Sequence, residues 1–388
     1  MRRLSDTLQR LAAARPAMQA MGAMPGMPGA ASGTPSAGGS LEELTWSGSN
    51  PGNLRGYLHV PVAVDARPAL VVVLHGCTQT AAGYDAGSGW SRLADQHGFL
   101  VLFPEQQRGN NPNLCFNWFS PEDTGRDGGE ALSIRQMVEA VARDHDVDPA
   151  RIFVTGLSAG GAMTSVMLAT YPDLFAGGAI IAGLPYGSAA SVVQALDRMR
   201  GHGGADASGL ARAVEGASAH RGPWPIVSIW HGSADHTVHP SNAAAILAQW
   251  QAVHGLDDAV AEADQVDGYR HRLWRDAAGR PTIEEYDIAG MGHGTPLDPR
   301  GSEAGEVAGP HMLDVGISST TRIAEFWGLT GTTVVVRKPK PVKTATRKPD
   351  AAPQAKTESA GETSRRPAVL NGPAQIIEDA LRAAGLVR

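Results

Sequence analysis

Residues 156–160 read Gly-Leu-Ser-Ala-Gly, a serine held between small residues where the apolar run 151–156 gives way to a helical pattern over 159–170. A serine hydroxyl is a weak nucleophile. It needs a base to take its proton and a geometry that presents it to an electrophilic carbon. A G-x-S-x-G turn between strand and helix supplies the geometry, because the serine sits in strained backbone and its flanks must be small for the two elements to approach. Gly156, Ala159, Gly160 and Gly161 meet that demand. The helix N-terminus also aims N–H groups and positive dipole at the site, which favours a developing oxyanion. A five-residue match alone also fits a simple Gly-Ser turn, but the strand before it and the helix after it favour Ser158 as a nucleophile.

In such an architecture the acid and then the histidine follow the serine in the chain. Asp235 stands in the loop after the apolar run 225–232, at the end of a strand where open α/β sheets gather functional residues. It is the leading acid, with Asp173 and Asp298 as rivals in weaker contexts. His293, flanked by Gly292 and Gly294, is the candidate base. His231, His236, His239 and His311 read as structural or surface residues. Separations of 77 and 58 residues leave room for strand–helix units between the three members. An oxyanion site needs two donors: the N–H of Ala159, next to the serine, and one from the loop after an early strand, where His75-Gly76-Cys77 makes Cys77 the choice. His75 reads as a loop-fixing side chain. Trp90, Trp118 and Phe119 are candidates for an apolar wall along a bound chain, and equally for core. This chemistry requires neither a metal nor a cofactor.

The elements that must position these groups are legible as alternation. Residues 69–76, 99–105, 151–156, 175–183 and 225–232 are nearly continuous apolar runs, as in strands buried on both faces. Helical patterns over 87–97, 129–144, 159–170 and 241–254 separate them, and two further strands fit around Gly279. The order implies right-handed crossovers and a mostly parallel sheet with helices on both faces, an α/β fold.

The 388-residue chain is 42% hydrophobic, enough for a sizeable core, and carries a net charge of −6. No basic block lies within the globular part, which argues against nucleic acid as a partner. No run approaches the roughly 18 apolar residues of a membrane helix. Four segments are expected: a flexible leader with a short N-terminal helix over 1–40, a catalytic domain over 41–330, a basic Pro/Ala-rich linker over 331–372 and an amphipathic helix over 373–388. Residues 332–366 hold nine Lys and Arg against three Asp and Glu, a net +6 that leaves −12 on the remainder. The N-terminus begins with positive charge, but Ser5, Asp6, Gln9, Arg10 and Arg15 interrupt any apolar stretch, so no secretory signal is read. Cys77 and Cys115 fit either free thiols or one disulfide.

Six ordered motifs spanning about 46–329 resemble the polyhydroxybutyrate depolymerase-like esterases of the α/β-hydrolase superfamily, which are related to feruloyl and acetylxylan esterases. They are LHGCTQTAAGYDAGSGWSRLADQHGFLVLFPEQ, CFNWF, GLSAGGAMT, HGSADHTVHP, MGHGTP and LDVGISSTTRIAEFWG. The resemblance implies the α/β-hydrolase fold, the triad Ser158, Asp235 and His293, Cys77 as an oxyanion donor, and a link between Cys77 and Cys115. It implies serine-dependent hydrolysis of hydroxyalkanoate polymer or oligomers, with short-chain acyl, feruloyl or acetylxylan esters as the alternative. A peptidase using the same triad is a third reading of the residues, and a non-catalytic granule-surface or scaffold protein is the rival from another class. The unreadable signal favours the cytoplasm, whereas the family's many secreted members favour the exterior.

Overall fold

A computed structural model of the protein describes residues 41–257 and 259–331, so the expected leader, most of the basic linker and the terminal helix lie outside the described residues. Ten strands form one sheet: β1 (Glu42–Glu43), β2 (Arg55–His59), β3 (Leu70–Leu74), β4 (Leu100–Glu105), β5 (Ile152–Leu157), β6 (Gly177–Ile181), β7 (Ile226–Gly232), β8 (Glu262–Val266), β9 (Tyr269–Arg275) and β10 (Pro281–Ile288). Their order is β1-β2-β4-β3-β5-β6-β7-β10-β9-β8. The six from β4 to β10 run parallel, and antiparallel partners close each side: β1 and β2 at one edge, β9 and β8 at the other. The five runs expected as strands are all in the parallel core. Their side chains alternate between two cores, as period-two geometry requires: Leu70, Val72 and Leu74 of β3 face one, Val71 and Val73 the other.

Helices α1 (Ala81–Ser88), α2 (Trp90–His97), α3 (Pro121–Thr124), α4 (Gly129–His145), α5 (Ala159–Thr170), α6 (Val192–Met199), α7 (Ala207–Gly216), α8 (Ser241–His254) and α9 (Ser319–Phe326) surround the sheet. Ile134, Met137, Val138 and Val141 give α4 one apolar stripe against the first core. Helix α5 is buried on every side. On the second face α2 and α9 meet around Trp327, which stacks on Phe153 at 4.7 Å and Trp90 at 6.0 Å.

The single helix expected over 87–97 is two helices in the structure. Gly89 ends α1 and begins α2 with φ of 73°, and a Cβ there would lie 2.1 Å from the Ala304 carbonyl oxygen. Positive φ and close approach together require glycine, and the chain turns there. A separate parallel pair, β11 (Thr295–Leu297) with β12 (Met312–Asp314), follows the candidate base.

Candidate active site

Ser158 joins β5 to α5 with φ of 57° and ψ of −116°, a conformation rare for any residue but glycine. The neighbouring glycines permit it. A Cβ at Gly160 would lie 2.2 Å from the Leu74 carbonyl oxygen, and one at Gly156 2.5 Å from the Gly160 carbonyl carbon. Strand β3, strand β5 and helix α5 therefore touch backbone to backbone beneath the serine, whose N–H is tied to Ile181 O at 2.9 Å.

Asp235 and His293 reach the same carboxyl edge of the sheet from β7 and β10. In the ladder Gly232 pairs with Ile288. Beyond it the two loops are stapled: Ser233 N–H donates to Ile288 O at 3.1 Å, Ala234 N–H to Met291 O at 3.0 Å, and Gly290 N–H to Ser233 Oγ at 2.9 Å. His293 Nδ1 then donates to Asp235 Oδ2 at 2.7 Å. Asp235 Oδ1 accepts the N–H groups of Thr237 (2.8 Å) and Val238 (2.9 Å). Burial opposes ionisation of Asp235, but the hydrogen bond and charge of His293, with the Val238 N–H, outweigh it and hold the carboxyl below the usual range. Such a carboxylate fixes the imidazole so that Nε2 is the nitrogen left to accept a proton. Among the described residues neither Ser158 Oγ nor His293 Nε2 makes a hydrogen bond.

The rival side chains are engaged elsewhere. Asp173 forms a two-pronged pair with Arg126 at 2.7 and 2.8 Å, and Asp298 accepts backbone N–H groups of its own turn. His231 is buried, which lowers its pKa, and its Nε2 donates to Val238 O at 2.8 Å behind Asp235. His239 bonds Ser241, and His311 Nδ1 donates to the His293 carbonyl at 3.1 Å.

Cys77 lies in the loop after β3 and is bonded to Cys115. The N–H groups of Cys77 and Ala159 make no hydrogen bond among the described residues, whereas neighbouring Gly76 and Thr78 donate to Gln79 Oε1 and Asn113 O. His75 is buried, which pushes its pKa down to about 4. Neutral, it donates from Nδ1 to Gly76 O and accepts the Gln106 N–H at Nε2.

Beside Ser158 opens a cleft that is almost entirely apolar. Trp118 and Phe119 line it as expected. Trp90 does not: it is 1% exposed in the second core, its ring held by Trp327 and Phe99. The opposite wall was not anticipated. Helix α6 contributes Val192, Ala195, Leu196 and Met199, spaced i, i+3, i+4 and i+7 on one face.

Residues 55–271 match the family model described as esterase PHB depolymerase. The chain belongs to that family. It is 49% identical over 296 residues to poly(3-hydroxyalkanoate) depolymerase C of Paucimonas lemoignei, covering 75% of this chain and 71% of that one. Acetylxylan esterase A of Aspergillus oryzae is 33% identical over 263 residues, 66% of this chain and 84% of its own length. Feruloyl esterase B of Talaromyces funiculosus is 30% identical over 268 residues, 67% of this chain and 74% of its own. Among solved structures, an acetyl xylan esterase from Aspergillus awamori superposes with a TM-score of 0.64 at 28% identity, covering 75% of this chain and 100% of that one. This member of the esterase PHB depolymerase family is thus an ester hydrolase with the α/β-hydrolase fold, and its cysteines form the disulfide that the motifs implied. No helix among the described residues is long and apolar enough to cross a membrane.

Proposed function

We propose that the protein cleaves hydroxyalkanoate polyester or its oligomers through an acyl-enzyme on Ser158. The observation that carries the mechanism is the 2.7 Å bond from His293 Nδ1 to Asp235, on the sheet edge where Ser158 holds its left-handed turn. Ser158 Oγ attacks the ester carbonyl carbon while His293 Nε2 takes the hydroxyl proton, and Asp235 stabilises the imidazolium. The carbonyl oxygen becomes an oxyanion held by the N–H groups of Cys77 and Ala159, each donor of this kind contributing about 3–4 kcal/mol to the transition state. Collapse expels the alcohol end of the chain, protonated by His293. Water then attacks the acyl-enzyme with His293 as base and releases the acid.

The substrate assignment follows the similarity to a poly(3-hydroxyalkanoate) depolymerase and the apolar cleft, which suits an aliphatic acyl unit. Similarity to acetylxylan and feruloyl esterases favours short acyl or feruloyl esters as the second reading. We place the catalytic unit at residues 41–330. A fluorophosphonate probe tests the mechanism by labelling Ser158, and rates on 3-hydroxybutyrate oligomers, p-nitrophenyl esters and feruloyl sugars test the substrate. An unlabelled Ser158 in folded protein sinks the first, and faster turnover of feruloyl sugars than of oligomers the second.

A further inference from the structure

The disulfide is one of two holds on the loop that carries Cys77. The other begins at Glu130, near the start of α4, which is fully buried although no Lys, Arg or His bonds it among the described residues. Its oxygens collect three donors: Oε1 accepts from Gln106 Nε2 at 2.5 Å and Asn117 Nδ2 at 2.8 Å, and Oε2 from the Asn117 N–H at 2.8 Å. A buried carboxyl is costly unless hydrogen-bonded, and here the bonds lead in one direction. Gln106 Nε2 also donates to Cys115 O at 3.1 Å, and the Gln106 N–H donates to His75 Nε2 at 3.1 Å. Asn117 Oδ1 accepts from Asn111 Nδ2 at 3.0 Å, Asn111 Oδ1 accepts the Asn113 N–H at 3.0 Å, and Asn113 O accepts the Thr78 N–H at 2.7 Å. Both flanks of Cys77 and its disulfide partner therefore trace back to one carboxyl.

We propose that Glu130 is a positioning residue for catalysis, aiming the Cys77 N–H at the reacting carbonyl oxygen through Gln106 and Asn117. This rests on the reading of Cys77 as an oxyanion donor. Burial pushes the Glu130 carboxyl up to about 8, with the charge of Asp123 adding to it and the Asn117 and Gln106 donors opposing. Glu130 is 0% exposed, so the anchor sits where solvent does not reach it.

Glu130→Gln keeps the size but sets an amide N–H₂ against donors where an oxygen accepted. With a p-nitrophenyl ester, kcat per site titrated by fluorophosphonate should fall ~10- to 100-fold, below the ~10²- to 10³-fold of losing a donor outright. KM should stay within about 3-fold, since the donor acts in the transition state. Glu130→Asp should recover part of the loss. Asn117→Ala, at a half-buried position, should cost about 3- to 10-fold, and it decides the matter if Glu130→Gln does not fold. Thiol titration should find the disulfide intact in each variant. A folded Glu130→Gln or Asn117→Ala with wild-type kcat per site, whatever its melting temperature, overturns the inference, as does a raised KM at unchanged kcat. If Ser158 labels normally in that protein, the triad mechanism stands and only the positioning role is lost.

Discussion

Two Asp–His pairs in this molecule share the same contact and have opposite prospects. His293 Nδ1 meets Asp235 at 2.7 Å, and His271 Nδ1 meets Asp264 at 2.7 Å. At the second pair Nε2 is also engaged, 3.3 Å from Glu284, whose other oxygen accepts from Ser228 Oγ, which in turn accepts from Trp230 Nε1. Burial pulls the His271 pKa down, but bonds to Glu284 and Asp264 outweigh it and raise it overall. An imidazole between two carboxylates holds its proton and accepts none. His293 donates to one carboxylate, and its Nε2 makes no hydrogen bond among the described residues. The second cluster even includes a serine, Ser228, but that side chain is buried within β7 in a closed chain of bonds. If Asp235 and His293 serve the proposed triad, what separates that constellation from the structural one is the unfilled valence at Nε2, rather than the Asp–His distance.

The sharpest way to break this contrast is Ser158→Ala, which should abolish ester turnover while leaving the melting temperature near wild type; residual wild-type rates would sink the triad. Asp235→Asn should reduce kcat by up to ~10⁴-fold through the wrong imidazole tautomer, whereas Asp264→Asn should leave kcat unchanged. Cys77→Ser keeps the backbone donor but releases its tether. It should lower the melting temperature, with a rate loss no greater than about 10²-fold, and a reductant should reproduce both in the wild type.

The smallest effect is expected at the structural pair. His271→Gln should spare kcat and cost about 1–3 kcal/mol of stability by removing the imidazole that pairs with one buried Glu284 oxygen. Because the folded-state pKa of His271 is raised, its contribution is present in full below the unfolded value of about 6.5 and is lost as pH rises through the folded value. Melting curves of wild type and variant should therefore differ most near pH 5–6 and converge at alkaline pH. A gap that widened with pH would contradict the assignment.

How much of this could be read from the chain depended on burial. Strands β3 to β7 announced themselves because both faces are covered, and α5 and α8 matched their expected bounds. Strand β8, Glu-Ala-Asp-Gln-Val, is exposed along most of its length and carries no apolar rhythm to detect. The places of Ser158, Asp235 and His293 at one sheet edge were legible because each follows a buried strand, so local pattern and tertiary place coincide. For Trp90 the sequence left cleft wall and core equally open, because its partners, Phe99 and Trp327, are set by packing between α2 and the region after α9. The Glu130 network had no local signature either: Gln106, Asn111 and Asn117 are common loop residues until the fold converges them on one carboxyl.

The stripe on α6 divides the labour within the cleft in a way that bears on how its selectivity could change over generations. Beneath Ser158 the backbones of β3, β5 and α5 are in contact and admit no added atom, so that side is closed to variation. Across the cleft, Val192, Ala195, Leu196 and Met199 bring only apolar side chains from a short helix of which Ala195 alone is fully buried. Trading large for small along those four positions reshapes the cleft without moving Ser158, Asp235 or His293. If the cleft receives the acyl unit, a longer or bulkier monomer is most simply admitted by substitutions on this one helix, which leave the Ser158 turn and the Asp235–His293 bond untouched.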